Sequence, residues 1–170
     1  MSLQEFFTQD VSFIKILDLV GFLGPFLLLL IAIWQLWNHN LYWSVYLVIF
    51  VISSFINKLL KMIIKEPRPS NGESIINEDY SGHEEYGMPS AHAQSVFLTL
   101  TFLYLVKDSP VYLIGELFIA CLTLFQRYKY NRHTIEQLGI GAFVGICIAY
   151  ISYNLTTNYL QENTCKKNIE

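Results

Sequence analysis

The side chains best suited to chemistry lie at the ends of apolar segments of the chain. They are Lys61, Arg68, Ser90, His92, Arg127 and His133. The three cations carry many N–H donors, and a serine that opens a helix adds a hydroxyl to outward-pointing backbone N–H groups, so this set could cradle a phosphate. Two histidines beside such a cradle could divide phosphoryl transfer, one attacking phosphorus and the other protonating the departing oxygen. The acidic residues show no ligand-like spacing, so the sequence predicts neither a metal site nor a cofactor.

The composition shows what kind of protein must position these residues. The chain has 170 residues, of which 53% are hydrophobic and 15% are charged, whereas roughly a quarter of a soluble domain is charged. The net charge of -3 and the pI near 5.8 argue against a nucleic-acid partner. Because each bilayer span takes about 20 residues, the length predicts five or six spans and leaves no room for a soluble domain. We therefore expect one membrane-embedded domain over residues 1–170.

The charge pattern divides this domain into spans. No Asp, Glu, Lys or Arg occurs between Asp18 and Lys58, and the polar residues 38–40 divide that gap into two helices. The five predicted spans lie near 14–37, 41–64, 89–106, 110–125 and 133–153. The polar segment 65–88 is predicted to be a solvent-facing loop, and residues 1–12 are predicted to form an interfacial helix. The sequence thus predicts an all-α integral membrane bundle of about five transmembrane helices with an interfacial helix before them.

The direction of the spans predicts where the chemistry would take place. If consecutive spans alternate in direction, the ends of the second and fourth spans face the same side as the starts of the third and fifth. The six residues named above occupy those ends, together with the loop 65–88. Singly, a cation at a span end commonly reaches the headgroups and a lone histidine is commonly structural. Their convergence on one face favours an active site there.

Three spaced motifs on this face resemble a known family. Lys61 to Pro69 reads KMIIKEPRP with K-x6-R-P spacing, Pro89 to His92 reads PSAH, and Arg127 to His133 has R-x5-H spacing. They are similar to the signature motifs of the type 2 phosphatidic acid phosphatase (PAP2) superfamily, whose fold is shared with vanadium haloperoxidases. The surroundings at 86–94 and 133–137 are similar to its dolichyl diphosphatase branch, in which a glutamine stands where most relatives have an aspartate. Ala91 and Gln126 also depart from the general pattern, which has glycine and serine there.

The resemblance implies a role for each motif residue. Lys61, Arg68, Ser90 and Arg127 would bind the phosphoryl oxygens. His133 would attack phosphorus to give a phosphohistidine, and His92 would protonate the leaving group and then activate water. Gln137, four residues after His133 on one helix, is within reach of its ring and is the expected orienting residue, with Glu136 as the alternative.

Other basic residues and histidines receive structural interpretations. Lys65, Lys129 and Arg132 lie near the site but match no motif position, so we expect them to contact lipid headgroups. His39 lies at the opposite face and His83 in the acidic loop, so neither is a catalytic candidate.

The expected function is metal-independent hydrolysis of a lipid phosphate or diphosphate, with a polyprenyl diphosphate favoured by the resemblance. The substrate lipid and the surrounding membrane lipids are the only partners expected, and the sequence predicts no oligomeric state. Phosphatidate or phosphatidylglycerophosphate hydrolysis and lipid phosphotransfer remain alternatives, as does a non-enzymatic scaffold; a haloperoxidase would be soluble and much longer. The resemblance implies a lumenal or external site, whereas the distribution of Lys and Arg by itself favours the cytoplasmic side.

Overall fold

The computed structural model describes residues 13–73 and 85–167. Within these ranges the chain forms helices and one isolated bridge between Pro67 and Tyr86, without an extended strand. The helices are α1 Phe13–Phe22, α2 Gly24–Leu36, α3 Asn40–Ile64, α4 Ala91–Lys107, α5 Pro110–Lys129 and α6 Ile135–Lys167. The predicted all-α class is confirmed for this part of the chain, whereas the predicted interfacial helix at 1–12 and residues 74–84 of the predicted loop lie outside it.

Three helices, α3, α5 and α6, are long and apolar enough to cross a membrane. α1 and α2 meet the same requirement only as a pair bent by 66°, which gives up to four spans in the described residues. α4, the third predicted span, has 17 residues and lies at the lower limit of about 17–25 residues for a transmembrane helix. The structure thus refines the five predicted spans to three long helices, one bent pair and one short helix.

The bend in the first predicted span occurs where α1 ends and α2 begins. Pro25 lies in the first turn of α2 and has no N–H to donate to the preceding turn, so the helix cannot continue straight through it. α1 turns away from the line of α2 and packs against α5. Gly21 permits this close approach, because a Cβ there would lie 2.5 Å from the carbonyl oxygen of Leu122. The end of α1 is thereby placed beside the end of α5.

α4 is the central helix and packs against α2, α3, α5 and α6. α6 comes closest to it, through two glycines spaced four residues apart. A Cβ on Gly141 would lie 2.5 Å from the carbonyl oxygen of Ser90, and a Cβ on Gly145 would overlap the carbonyl oxygen of Gln94. Glycines at this spacing let two helix backbones meet. The first turns of α4 and α6 are therefore in contact, which brings together two segments of the predicted site.

The side chains divide into an apolar interior and an apolar exterior. Ala32, Tyr46 and Phe102 are fully buried where α2, α3 and α4 meet. Large apolar side chains are also exposed around the outside, among them Trp34, Phe55, Ile63, Val111, Ile114, Phe143 and Leu155. An exterior of this kind is stable against lipid and unfavourable in water. Together with the apolar helices it makes this a multi-pass membrane protein.

Candidate active site

The ends of α3, α4, α5 and α6 that were predicted to share one face are in contact in the structure. Arg68 Nη1 lies 3.0 Å from His133 Nε2, and Arg127 Nη2 lies 3.1 Å from His92 Nδ1. Lys61 is fully buried in the last turn of α3, and its charge acts on His133. Each histidine is thus paired with one arginine, and all three predicted cations surround the histidine pair.

Ser90 connects the starts of α4 and α6. It is the N-cap residue of α4, with extended backbone angles and a side chain that accepts a hydrogen bond from the N–H of Ala93 at 3.5 Å. Its own N–H donates to the carbonyl oxygen of Gln137 at 3.0 Å, and the residue is fully buried. The predicted position of this serine at the start of a helix is confirmed.

The ring of His133 is held by the side-chain amide of Gln137. Gln137 Oε1 lies 3.2 Å from His133 Nδ1 and also accepts from the N–H of Thr134 at 3.3 Å. Gln137 Nε2 donates to Glu66 Oε1 at 2.8 Å and to the carbonyl oxygen of Pro67 at 2.9 Å. The two acceptors must face the NH2 group of the amide and the backbone donor must face its oxygen. These contacts therefore fix the orientation of the Gln137 amide.

This orientation of the amide fixes the tautomer of His133. Because Gln137 Oε1 can only accept, His133 Nδ1 must carry the proton and donate it. His133 Nε2 then has a lone pair, which faces Arg68, a residue that can only donate. The nitrogen that faces the cations is therefore the unprotonated one.

The surroundings of His133 keep its ring neutral. Burial lowers the pKa of His133 to about 2, and the positive charges of Arg68, Arg127 and Lys61 contribute, whereas the hydrogen bond to Gln137 opposes the change. At neutral pH the ring is uncharged, and its Nε2 lone pair accepts the hydrogen bond from Arg68.

His92 lies in the first turn of α4 under the end of α1. Its ring centroid is 6.0 Å from that of Phe22, and the guanidinium of Arg127 lies 5.5 Å from the same phenyl ring. Since an arginine only donates, the Nδ1 atom of His92 accepts the hydrogen bond from Arg127. α1 therefore covers this half of the site with an aromatic side chain, a contribution that the sequence analysis did not predict.

The three basic residues expected at lipid headgroups have different surroundings. Lys65 is exposed at the C-terminal end of α3. Lys129 Nζ lies 2.6 Å from Oδ2 of the buried Asp18, and the hydroxyl of Tyr130 donates to the same oxygen at 2.9 Å. Burial and Asp18 raise the pKa of Tyr130 to about 12, so it stays protonated as a donor. The headgroup expectation is replaced for Lys129 by an ion pair that ties α5 to α1.

Arg132 is also placed inside the protein. Only 5% of the residue is exposed, and its backbone carbonyl accepts a hydrogen bond from Arg68 Nη1 at 3.2 Å. Its backbone N–H donates to the carbonyl oxygen of Arg127 at 2.9 Å. The residue before His133 therefore links both arginines of the site through its backbone, and the expected headgroup contact is wrong for its buried side chain.

Glu66 is a site residue that the sequence analysis missed. Its carboxylate accepts from the Gln137 amide, and its carbonyl oxygen accepts from the N–H of Gly87 at 2.7 Å. A Cβ on Gly87 would overlap the Gln137 amide, so a larger residue there would displace this amide. Glu136, the alternative orienting residue, is exposed and bonds to Thr134. The carboxylate connected to His133 is thus that of Glu66, through Gln137.

A buried polar network behind the site was also missed. Asn57 Nδ2 donates to the carbonyl oxygen of Pro89 at 3.2 Å and to Gln94 Oε1 at 2.8 Å. Gln94 Nε2 donates to the carbonyl oxygen and the hydroxyl of Ser53 at 2.8 and 2.7 Å. These bonds hold the segment that precedes His92 against α3. The signal for them was present, because Ser53, Asn57 and Lys61 recur every four residues along one face of an apolar helix.

Among the described residues, neither His39 nor a cluster of acidic residues extends the site. His39 Nε2 lies 3.3 Å from Lys107 Nζ at the end of α4 remote from Ser90, as its predicted position requires, and His83 lies outside the described residues. In residues 13–73 and 85–167, no group of three or more His, Cys, Asp or Glu side chains could hold a metal ion.

The family of the chain follows from comparison with known proteins. The family model described as PAP2 superfamily matches residues 42–160, which contain all of the motif residues. The chain therefore belongs to the PAP2 superfamily, and the resemblance inferred from its three motifs is confirmed.

Two curated relatives indicate the branch. Dolichyldiphosphatase 1 of Dictyostelium discoideum is 31% identical over 116 residues, which cover 62% of this chain and 48% of the relative. Dolichyldiphosphatase of Saccharomyces cerevisiae is 31% identical over 106 residues, which cover 56% of this chain and 44% of the relative. The matched segment thus spans about half the length of each relative. No solved structure matches the chain.

Proposed function

We propose that this protein is a membrane lipid phosphatase that converts a polyprenyl diphosphate of the dolichyl type into the monophosphate. The observation that carries the proposal is the neutral His133, whose Nε2 lone pair lies 3.0 Å from Arg68 within a cluster of three cations. Membership in the PAP2 superfamily supports phosphate chemistry at these motifs. The names of the two relatives support a diphosphate carried by a polyprenyl chain.

The proposed reaction has two steps at one phosphorus atom. His133 Nε2 attacks the terminal phosphorus, so that a P–N bond forms while the P–O bond to the bridging oxygen breaks. The three cations and Ser90 hold the equatorial oxygens. His92 takes up a second proton when the negatively charged phosphates enter beside it, and it gives this proton to the departing lipid monophosphate. Water then attacks the phosphohistidine, His92 takes its proton, and inorganic phosphate leaves with His133 restored.

The test is phosphate release by the purified protein from a panel of lipids. The panel contains polyprenyl diphosphates, phosphatidate and phosphatidylglycerophosphate, and His133→Ala serves as the inactive control. We expect the highest kcat/KM for a polyprenyl diphosphate, with the polyprenyl monophosphate as product. Preference for a glycerophospholipid would assign the chain to the alternative phosphatase class. An alcohol acceptor that competes with water would indicate a phosphotransferase, and release from no lipid would favour a scaffold.

We further propose that the site faces the lumen or the exterior of its compartment. A single cysteine introduced at the exposed Ser70, in a chain without its native cysteines, would report the side of the membrane. Labelling of sealed cells or vesicles of known orientation by a membrane-impermeant thiol reagent should be lumenal or external. Labelling only from the cytoplasmic side would reverse this assignment.

A further inference from the structure

An apolar groove runs between α5 and α6 next to the candidate active site. Its volume is about 340 Å³. Its lining includes Leu124, Phe125 and Tyr128 from α5, and Ile135, Leu138 and Gly139 from α6. Ligand pockets usually measure roughly 300–1,000 Å³, so the groove is large enough to hold part of a lipid chain.

The packing of the bundle explains why the groove exists. α5 and α6 follow each other in the chain, but both pack against α4 and, along their described lengths, they hardly touch each other. The short linker 130–134 joins them at one end, and this linker contains His133. The segment that carries the proposed nucleophile therefore joins α5 to α6 at the end of the groove that Tyr128 and Ile135 line.

The groove and the phosphate site share the same helix ends. Arg127 lies between the lining residues Phe125 and Tyr128 in the chain, and the lining residue Leu138 directly follows Gln137. Arg127 is buried towards His92, whereas Phe125 and Tyr128 are exposed on the groove side. A hydrocarbon chain attached to a phosphate in the cluster would thus find apolar surface within one helical turn of the cations.

One of the residues that line the groove is a glycine, Gly139. A glycine within a helix lowers the stability of the helix by about 1 kcal/mol relative to alanine, so it is usually required by packing or by function. Gly141 and Gly145 on the same helix have one, because α4 lies against them. At Gly139 a Cβ would meet nothing within 4 Å, so the packing of the protein does not require a glycine. The missing side chain widens the groove at this point.

We propose that this groove binds the polyprenyl chain of the substrate, in the part adjacent to its phosphates. The inference rests on the proposed function and names the surface that would select its substrate. The position of the groove carries it, because the lining residues Tyr128 and Leu138 directly follow the site residues Arg127 and Gln137 in the chain. A lipid held by its phosphate must direct its tail away from the cations along an apolar path. A single groove of this size fits one chain, whereas a glycerophospholipid brings two.

The test compares two identical substitutions at glycines that are both exposed and both without a neighbour within 4 Å of a Cβ. Gly139→Phe fills the groove, and Gly115→Phe adds the same ring to α5 outside it. The assay measures kcat/KM for a long-chain polyprenyl diphosphate and for a short-chain, water-soluble isoprenoid diphosphate. We expect Gly139→Phe to lower the long-to-short ratio by about tenfold or more, because about 1.4 kcal/mol of lost binding corresponds to tenfold. Gly115→Phe should leave this ratio unchanged.

Other results would overturn the proposal. Equal ratios in the two variants would mean that the chain does not use the groove. A change of oligomeric state in Gly139→Phe, measured by size-exclusion chromatography with light scattering, would mean that the groove is an interface between two copies. Loss of both substrates in a folded protein would mean that the groove only supports the site.

A second measurement needs no variant and no turnover. A polyprenyl diphosphate with a photoreactive group near its first isoprene units should label the native protein within 124–128 or 135–142. Labelling confined to α2 or α3 would overturn the groove assignment. Because the labelled protein is native, this result would hold even if the Gly139→Phe variant did not fold. Failure of the proposed function would look different, because the unmodified protein would then release phosphate from no polyprenyl diphosphate.

Discussion

Replacement of Gln137 by alanine should lower kcat/KM for the lipid diphosphate by roughly 5- to 150-fold. The variant lacks the acceptor that lies 3.2 Å from His133 Nδ1, so a buried N–H loses its partner and the ring can rotate or change tautomer. A buried donor without an acceptor costs about 1–3 kcal/mol, and about 1.4 kcal/mol in the transition state corresponds to tenfold in rate. The assay is phosphate release over a range of substrate concentrations, together with a thermal melt to show that the variant is folded.

The matched control is Glu136→Gln, at the neighbouring residue. Glu136 is exposed and hydrogen-bonds to Thr134, so its substitution should change kcat/KM by less than about twofold. The two variants should also differ in mechanism, because Gln137→Ala should act mainly on kcat while a loss of lipid binding would act on KM. A larger loss in Glu136→Gln than in Gln137→Ala would refute the assignment of Gln137 as the orienting residue.

A carboxylate at position 137 provides the complementary test. Most members of the superfamily are expected to have aspartate there, but in this chain Gln137 Nε2 lies 2.8 Å from Glu66 Oε1. Gln137→Asp would set two carboxylates beside each other, which disfavours the ionised form of both. The single variant should therefore be less active than the native chain, and Gln137→Asp with Glu66→Gln should recover part of the activity. Full activity of the single variant would show that Glu66 does not influence this position.

Three further predictions concern the mechanism and its pH dependence. His133→Ala should form no phosphoenzyme from labelled substrate, whereas His92→Ala should accumulate phosphohistidine. His92→Ala should also lose more activity on monophosphates than on diphosphates, because the leaving group of a diphosphate needs the proton less. Label on serine or aspartate would contradict the mechanism. A chelator should leave the rate unchanged and vanadate should inhibit; loss of activity in EDTA that magnesium restores would refute metal independence. Because the pKa of His133 is lowered to about 2 in the fold, stability is retained above the unfolded pKa near 6.5 and falls below it, by up to about 1.4 kcal/mol per pH unit. Thermal melts in detergent should show this acid loss in the native chain and a flatter profile in His133→Gln.

Hydropathy predicted where the helices lie but not how they bend. The apolar sequence on both sides of residues 38–40 predicted the extent of α3 and of the bent pair α1 and α2, because lipid exposure requires a continuous apolar sequence. Hydropathy averaged over such a segment does not detect the backbone N–H that a proline lacks. The bend at Pro25 was therefore not predicted, although the proline is visible in the sequence. The bend matters for the site, since it brings Phe22 over His92.

The positions of the motif residues were more predictable than the positions of their supports. Alternating span directions place span ends on one face whatever the packing, and the structure pairs His133 with Arg68 and His92 with Arg127 on that face. Glu66 could not be predicted in the same way. A carboxylate in a polar loop is usually solvated, and its contact with Gln137 depends on the fold of the loop around Gly87.

The pairing of one arginine with each histidine suggests how substrate binding and attack would be coupled. His133 Nε2 cannot attack phosphorus while its lone pair accepts a hydrogen bond from Arg68 at 3.0 Å. Phosphoryl oxygens carry more negative charge than a neutral ring nitrogen and form stronger bonds with a guanidinium, so a phosphate entering the cluster would draw Arg68 away from the ring. The ring itself would stay in place, because Gln137 holds Nδ1 from the opposite side. In the proposed mechanism, Arg68 would thus both bind the substrate and block the nucleophile, so the lone pair of His133 would become available only when a phosphate is bound.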